Sequence, residues 1–278
     1  MLTAQIRLGC FILKYTKFII QYYDAVSQYI LPYLKNCPQS MSRFANGITG
    51  SSFYQKDIDL EKSQSWLKTE QIYSESNGKN IDYLICNDKA TLLYMANLGC
   101  IELNPWNSTT KNIEKPDWVV IDIDPGKDEF EEVVRTAMKV KEIMDEKGAA
   151  CYCKTSGATG LHVYIPLNAR YDYDTVKIFA ELLAQEVHSR LPDTTSLERT
   201  VKKNTKIYID YLQNRAGQTL ASPYSVRPKD GATVSTPLEW SEVNEKLSPS
   251  QFTIKNVPQR IKEKGDLWKP VIGKRHQH

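Results

Sequence analysis

Between residues 16 and 34 the apolar side chains Ile19, Ile20, Tyr23, Val26, Ile30 and Leu34 recur at three- and four-residue steps. That spacing predicts an amphipathic helix turned toward a core and failing near Pro32. Polar and glycine-rich sequence follows, with a short aromatic strand edge at residues 52–56 and a further polar stretch behind it. Ala90, Leu92, Leu93, Met95 and Ala96 form a second helical pattern over residues 88–97, capped by Asn87 or Asp88 and stopped by Gly99.

The middle of the chain alternates between strand and helix periods. Residues 118–124 (WVVIDID) are a β-branched run closed by Pro125-Gly126, and Asp128 with Glu131 makes a capping box for a helix reaching Gly148. Residues 149–155 and 161–167 read as two strands of a hairpin, joined by the glycine-rich loop Ser156-Gly157-Ala158-Thr159-Gly160. A helix from Asp174 to Arg190, a strand over residues 206–211 and a short helix opened by Thr236-Pro237 complete the pattern. Helices mixed with hairpins predict a layered α/β (α+β) fold, and the lack of repeats or linkers predicts one domain.

Composition narrows the function classes. With 278 residues, 41% hydrophobic and 25% charged, the chain is neither disordered, collagenous nor a coiled coil. Its 36 basic and 33 acidic residues leave a net charge of +3, so a polyanion would be gripped locally rather than by bulk charge. Arg7, Lys14 and Lys17 interrupt the apolar N-terminus well short of the ~18 residues of a membrane span. Residues 8–13 make a poor secretory leader, with no small-residue cleavage site after them. Six cysteines without a C-x-x-C pair and four histidines, two of them in the last three positions, argue against zinc and for reduced cytoplasmic thiols.

The candidate chemistry lies in the strands. Asp122 and Asp124 are two apart, so both carboxylates leave one face while Ile121 and Ile123 leave the other. They make either a cation site or a solvated strand end that opens a turn. Asp210 ends a second apolar strand, Ile207-Tyr208-Ile209, on the face opposite its isoleucines. Three carboxylates on neighbouring strands suit two hard divalent ions that activate a hydroxyl and stabilise a leaving group in phosphoryl transfer. The loop at residues 156–160 offers hydroxyls and glycine amides as a triphosphate cradle, with His162 and Tyr164 alternating just beyond it, although a plain hairpin turn explains the glycines as well. It is no P-loop, since a strand rather than a helix leaves it. Cys151 and Cys153 fit core packing. Lys154, Lys202, Lys203, Lys206, Arg227 and Lys229 recur near these segments, and Arg43 and Lys56 flank the aromatic pair Phe53-Tyr54. Cations beside exposed aromatics suit phosphates and unstacked bases, and each one singly also suits a solvated surface.

In these segments the sequence resembles the polymerase domain of bacterial DNA ligase D, within the archaeo-eukaryotic primase superfamily. The likeness is carried, in order, by NGITGSSFYQKD, NDKATLLYMANLGCIELNPW, DIDPG at Asp122, KTSGATGLHVYIPL, IDYLQN and SPYSVRPKDGATVSTPL. It implies a single primase-polymerase domain over residues 16–272, between a divergent segment 1–15 and a tail 273–278, with an RRM-like catalytic sheet flanked by helices. It further implies a template-directed nucleotidyltransferase that fills gaps and extends 3′ ends in non-homologous end joining. Two divalent ions, Mn²⁺ or Mg²⁺, would be held by Asp122, Asp124 and Asp210. The incoming NTP or dNTP would meet Ser156, Thr159, His162, Lys203, Gln213, Arg227 and Lys229. Gapped or broken DNA would meet Lys17, Arg43, Phe53, Tyr54 and Lys56, with Ku and a DNA ligase as partners at the cytoplasmic nucleoid. De novo priming and non-catalytic binding of DNA ends are the competing readings. The sequence departs from the family at Arg7, where a lysine of an Asn-x-x-Lys segment is usual. It also departs at Asn104, which stands where some members carry histidine and cannot supply a proton, and at Lys203 and Lys229, where arginines give way to point charges.

Overall fold

The computed structural model describes residues 2–273 apart from Ala45, Asn46, Thr49, Lys62, Ser76, residues 127–129 and residues 199–205, and only the backbone of residues 2–15. Lys203 and Asp128 therefore lie outside the described residues, as does the side chain of Arg7.

The first helix, α1, runs Leu2–Leu34 and so begins well before residue 16. No proline or capping pattern stands in the preceding segment to stop it. Pro32 is accommodated in its last turn. Tyr23, Val26, Ile30 and Leu34 are fully buried, as their spacing requires. The stripe also carries hydroxyls that tie the helix to distant chain. Tyr23 donates to the Ile101 carbonyl at 2.6 Å, and Tyr33 and Tyr224 both donate to Asp266 at 2.6 Å.

Four strands follow: β1 (Gln39–Arg43), β2 (Phe53–Gln55), β3 (Lys68–Ser74) and β4 (Lys79–Ile85). Then come α2 (Lys89–Asn97) and β5 (Cys100–Pro105). The cap of α2 is Asp88, whose carboxylate accepts from Thr91 N at 2.8 Å, and Gly99 turns the chain at φ 78°. β1 pairs antiparallel with both β2 and β5 in a three-stranded sheet, while β3 and β4 form a separate hairpin.

The remaining elements are β6 (Trp118–Asp124), α3 (Phe130–Glu146), β7 (Tyr152–Thr155), β8 (Leu161–Pro166), α4 (Tyr173–Arg190), β9 (Thr195–Ser196), β10 (Ile207–Asp210), β11 (Pro237–Leu238), α5 (Val257–Lys264) and α6 (Lys269–Ile272). They build a six-stranded sheet in the order β11-β7-β8-β6-β10-β9, antiparallel except for the β10–β9 pair. Helices α3 and α4 lie against its central strands and against each other. One continuous buried cluster joins α1, the small sheet, the large sheet and the C-terminal helices, as expected of one domain.

The helix expected at Thr236-Pro237 does not form there. Pro237 and Leu238 instead pair with Lys154 and Cys153 at the sheet edge, where a residue without an N–H is tolerated. The helical turn comes later, at Trp240–Glu242, with a capping box between Glu239 and Glu242. Cys37, Cys86, Cys100, Cys151 and Cys153 are buried. Among the described residues no helix is long and apolar enough to cross a membrane.

Candidate active site

Four strands of the large sheet line up polar residues across their direction. Asp210 on β10 lies opposite Asp122 on β6, Asp122 opposite His162 on β8, and His162 opposite Lys154 on β7. Residues paired across a ladder share a face, so these four side chains stand in one row, and Asp124 joins the face two residues along. The alternate residues Ile121, Ile123, Val163 and Ile209 are fully buried on the other face.

Asp122 is 5% exposed. His162 Nε2 approaches its Oδ1 at 3.2 Å, off the line of a hydrogen bond, and this buried oxygen has no hydrogen-bond donor. Burial pushes the Asp122 pKa up to about 6, against the pull of Lys154 and Arg227. Burial, then the charges of Asp122 and Asp210, push Asp124 up to about 7. Asp210 accepts from the Leu212 backbone N–H at 2.8 Å and from Gln213 Nε2 at 3.0 Å, so Gln213 braces a carboxylate. Among the described residues no three such side chains converge tightly enough to grip one ion as they stand. The donor set nonetheless fits hard divalent ions: oxygen ligands, one of them orphaned, and carboxylates whose charges are costly without a neutralising cation.

The loop at residues 156–160 packs against this row. Ser156 Oγ accepts from the N–H groups of Ala158 and Gly160 at 3.1 and 3.0 Å, so the hydroxyl shapes the loop, while Thr159 is exposed at its tip. Gly157 has φ 73°, and a Cβ there would come within 2.6 Å of Ser235 N and 2.7 Å of Arg227 Cγ. A Cβ on Gly160 would run into the Ile123 carbonyl, which seats the loop directly on β6.

Arg227 links this loop to the small sheet. Its Nη1 donates to the Ser156 carbonyl at 2.7 Å, and its Nε pairs with Glu102 at 2.8 Å. Glu102 on β5 is in register with Ser42 on β1, and Ser42 with Tyr54 on β2. Phe53 and Tyr54 are exposed, 47% and 64%, with the Arg43 guanidinium 5.3 Å above the Phe53 ring. Arg43 also donates to the Leu98 carbonyl and to Gln55. Lys56 is half-buried just beyond β2. A groove of about 620 Å³ opens between α1 and residues 226–232, lined by Tyr22, Phe44, Ile48, Arg227 and Lys229 among others. Lys17 lies exposed on α1 beside Thr16, which borders the groove.

The structure thus brings Asp122, Asp124, Asp210, Gln213, Ser156, His162 and Arg227 together, sets the Arg43–Phe53–Tyr54 group on an adjoining sheet, and leaves Lys17, Lys56, Thr159 and Lys229 around them. Lys154, one of the basic residues expected at a phosphate-binding surface, is wholly buried instead. Its strand phase, shared with Tyr152 and opposed to Cys151 and Cys153, is the one sequence signal that it points into the row. Nothing in the sequence around Glu102 marks it for a role, and only its pairing with Arg227 reveals it.

Residues 16–268 match the family of the LigD primase-polymerase domain. The bifunctional non-homologous end joining protein LigD of Bacillus subtilis is 35% identical over 249 residues, covering 88% of this chain and 39% of that protein. The multifunctional non-homologous end joining protein LigD of Pseudomonas aeruginosa is 27% identical over 263 residues, covering 93% of this chain and 31% of that protein. The chain therefore spans well under half the length of these curated relatives. The polymerase domain of Mycobacterium tuberculosis ligase D, solved in complex with DNA, has a TM-score of 0.84 over 92% of this chain and 91% of that one, at 24% identity. That likeness shows the single-domain, primase-like mixed fold.

Proposed function

The chain belongs to the LigD primase-polymerase domain family, and on that premise we propose that it is a template-directed nucleotidyltransferase that fills gaps and extends 3′ ends in non-homologous end joining. The observation that carries the reading is the row Asp210–Asp122–His162 across three paired strands, with Asp124 beside it and the loop at residues 156–160 seated on the same strand.

Asp122, Asp124 and Asp210 would hold two divalent ions, Mn²⁺ or Mg²⁺. When bound, such ions acidify a hydroxyl and neutralise charge on the phosphates. The protein's own groups do the rest. Gln213 and the Leu212 amide keep the Asp210 carboxylate oriented toward the row. His162 presents a ring nitrogen beside Asp122, where the phosphates of an NTP or dNTP would lie. Arg227 and Lys229 supply positive charge on the triphosphate side, with Ser156, Thr159 and Lys203 in the same role. Phe53 and Tyr54 form a stacking platform for an unpaired template base, and Arg43, Lys56 and Lys17 meet DNA phosphates. The reaction joins a primer 3′-oxygen to the α-phosphorus and releases pyrophosphate. DNA ends or gapped duplexes at the nucleoid are the substrates, with Ku and a DNA ligase as partners.

The test is incorporation on a one-nucleotide gap, with and without a downstream 5′-phosphate, in Mn²⁺ and in Mg²⁺, comparing wild type with Asp122→Ala. Aspartate-dependent incorporation stimulated by the 5′-phosphate is expected. Incorporation indifferent to that phosphate would favour a general primase-polymerase, and gap binding with no incorporation would refute the enzyme reading.

A further inference from the structure

Lys154 stands outside every role assigned so far. Among the described residues it is the largest charged side chain that is fully buried, 0% exposed, at the far end of the row from Asp210. Its Nζ has three neighbours at hydrogen-bond distance: the Ala221 carbonyl at 3.0 Å, Ser235 Oγ at 2.6 Å and His162 Nδ1 at 2.8 Å. The Ser235 hydroxyl spends its own proton on the Thr155 carbonyl at 2.9 Å, so toward the lysine it acts as an acceptor. The carbonyl can only accept. Burial lowers the Lys154 pKa to about 7, and below that pH the side chain is an ammonium with three N–H donors and no acceptor. Two are matched by Ala221 and Ser235, and the third meets the imidazole, where a proton on Nδ1 would place two donors face to face.

We propose that Lys154 is a positioning residue that holds the His162 proton on Nε2, the nitrogen beside Asp122, by occupying Nδ1 as a hydrogen-bond donor. The imidazole therefore offers a fixed N–H on the side of the carboxylates and, on the polymerase reading on which this consequence rests, to an oxygen of the incoming triphosphate. Without the lysine the ring would be free to place its proton on either nitrogen, and the Nδ1-protonated form would turn a lone pair toward the phosphates. The arrangement parallels the way an outer hydrogen bond sets the tautomer of a histidine that works through its other nitrogen.

The ¹⁵N spectra of the four histidines are the direct test, recorded near pH 6 so that Lys154 is protonated, with the His162 signals identified by their loss in His162→Gln. The wild-type ring should show a protonated Nε2 and an unprotonated, hydrogen-bonded Nδ1. Lys154→Met should lose that pattern, whereas Lys154→Gln, which can still donate one N–H to Nδ1, should retain it. In gap filling near pH 6, Lys154→Met should raise the nucleotide KM roughly ten-fold with a smaller effect on kcat, and Lys154→Gln should restore most of it. A wild-type proton on Nδ1, an imidazolium, or an unchanged ring in a folded Lys154→Met would overturn the proposal. The predicted ring pattern in a wild type that incorporates nothing would support the lysine's role and overturn the polymerase reading alone.

Discussion

Asp124 is a carboxylate whose charge the fold tolerates poorly. Burial and the neighbouring charges of Asp122 and Asp210 lift its pKa from 3.8 to about 7. Between those values the native state keeps a proton that the unfolded chain has released, so stability falls as pH rises through that window and is lowest above it. At about 1.4 kcal/mol per pH unit for one proton, the ionised group costs the native state up to about 4 kcal/mol. That figure is a ceiling, since Asp122 titrates with it and the two share one field. Asp124→Asn keeps the shape and removes the charge. In chelator, the variant should therefore be more stable than wild type by about 1–3 kcal/mol near pH 8, and nearly equal to it near pH 4. Urea unfolding followed by tryptophan fluorescence at the two pH values measures both differences, and subtracting wild type cancels the other titrating groups. Adding Mn²⁺ near pH 8 should stabilise wild type and narrow the gap. A variant less stable than wild type near pH 8, or offset equally at both pH values, would refute the account of a site strained by its own charges.

Three further outcomes are expected. Gly157→Ala should destabilise the fold by about 1–3 kcal/mol in urea unfolding, because the new Cβ meets Ser235 N at 2.6 Å and the backbone sits at φ 73°; an unaffected midpoint would show that the loop yields freely. Asp266→Ala strands the hydroxyls of Tyr33 and Tyr224 and should cost about 2–4 kcal/mol, read as a drop in Tm. Phe53→Ala, at a half-exposed position, should change stability by no more than about 0.5 kcal/mol and weaken gapped-duplex binding about ten-fold by fluorescence anisotropy; undiminished binding would remove the stacking platform from the interface.

The parts of the fold that could be read directly are those where apolar period and burial coincide: the stripe of α1, the cap of α2, the run of β6, the β7–β8 hairpin and α4. β1 escaped because Gln39, Ser40 and Ser42 are polar yet buried by the strands on either side. The β3–β4 hairpin escaped because β3 is exposed along much of its length and carries no apolar alternation. Pro237 misled because helix starts and sheet edges both tolerate a missing N–H. Within a strand, parity placed Asp122 beside Asp124. Across strands parity says nothing about which neighbours meet, so the Asp210–Asp122 register, the burial of Lys154 and the Glu102–Arg227 pair needed the assembled sheet.

That row of side chains makes chemistry a gauge of strand alignment. Each of β10, β6, β8 and β7 contributes one member, so sliding any pairing by a single residue would send that member through the sheet among Ile121, Ile123 and Val163. A slide of two residues would keep the face but part the groups by nearly 7 Å. A misaligned sheet could retain its strand content and compactness and still be inert. One-residue insertions inside these four strands should therefore abolish activity even where the chain still folds, whereas turns outside the 156–160 loop can lengthen without disturbing the row. For this fold, turnover is a finer measure of correct folding than any spectrum of its backbone.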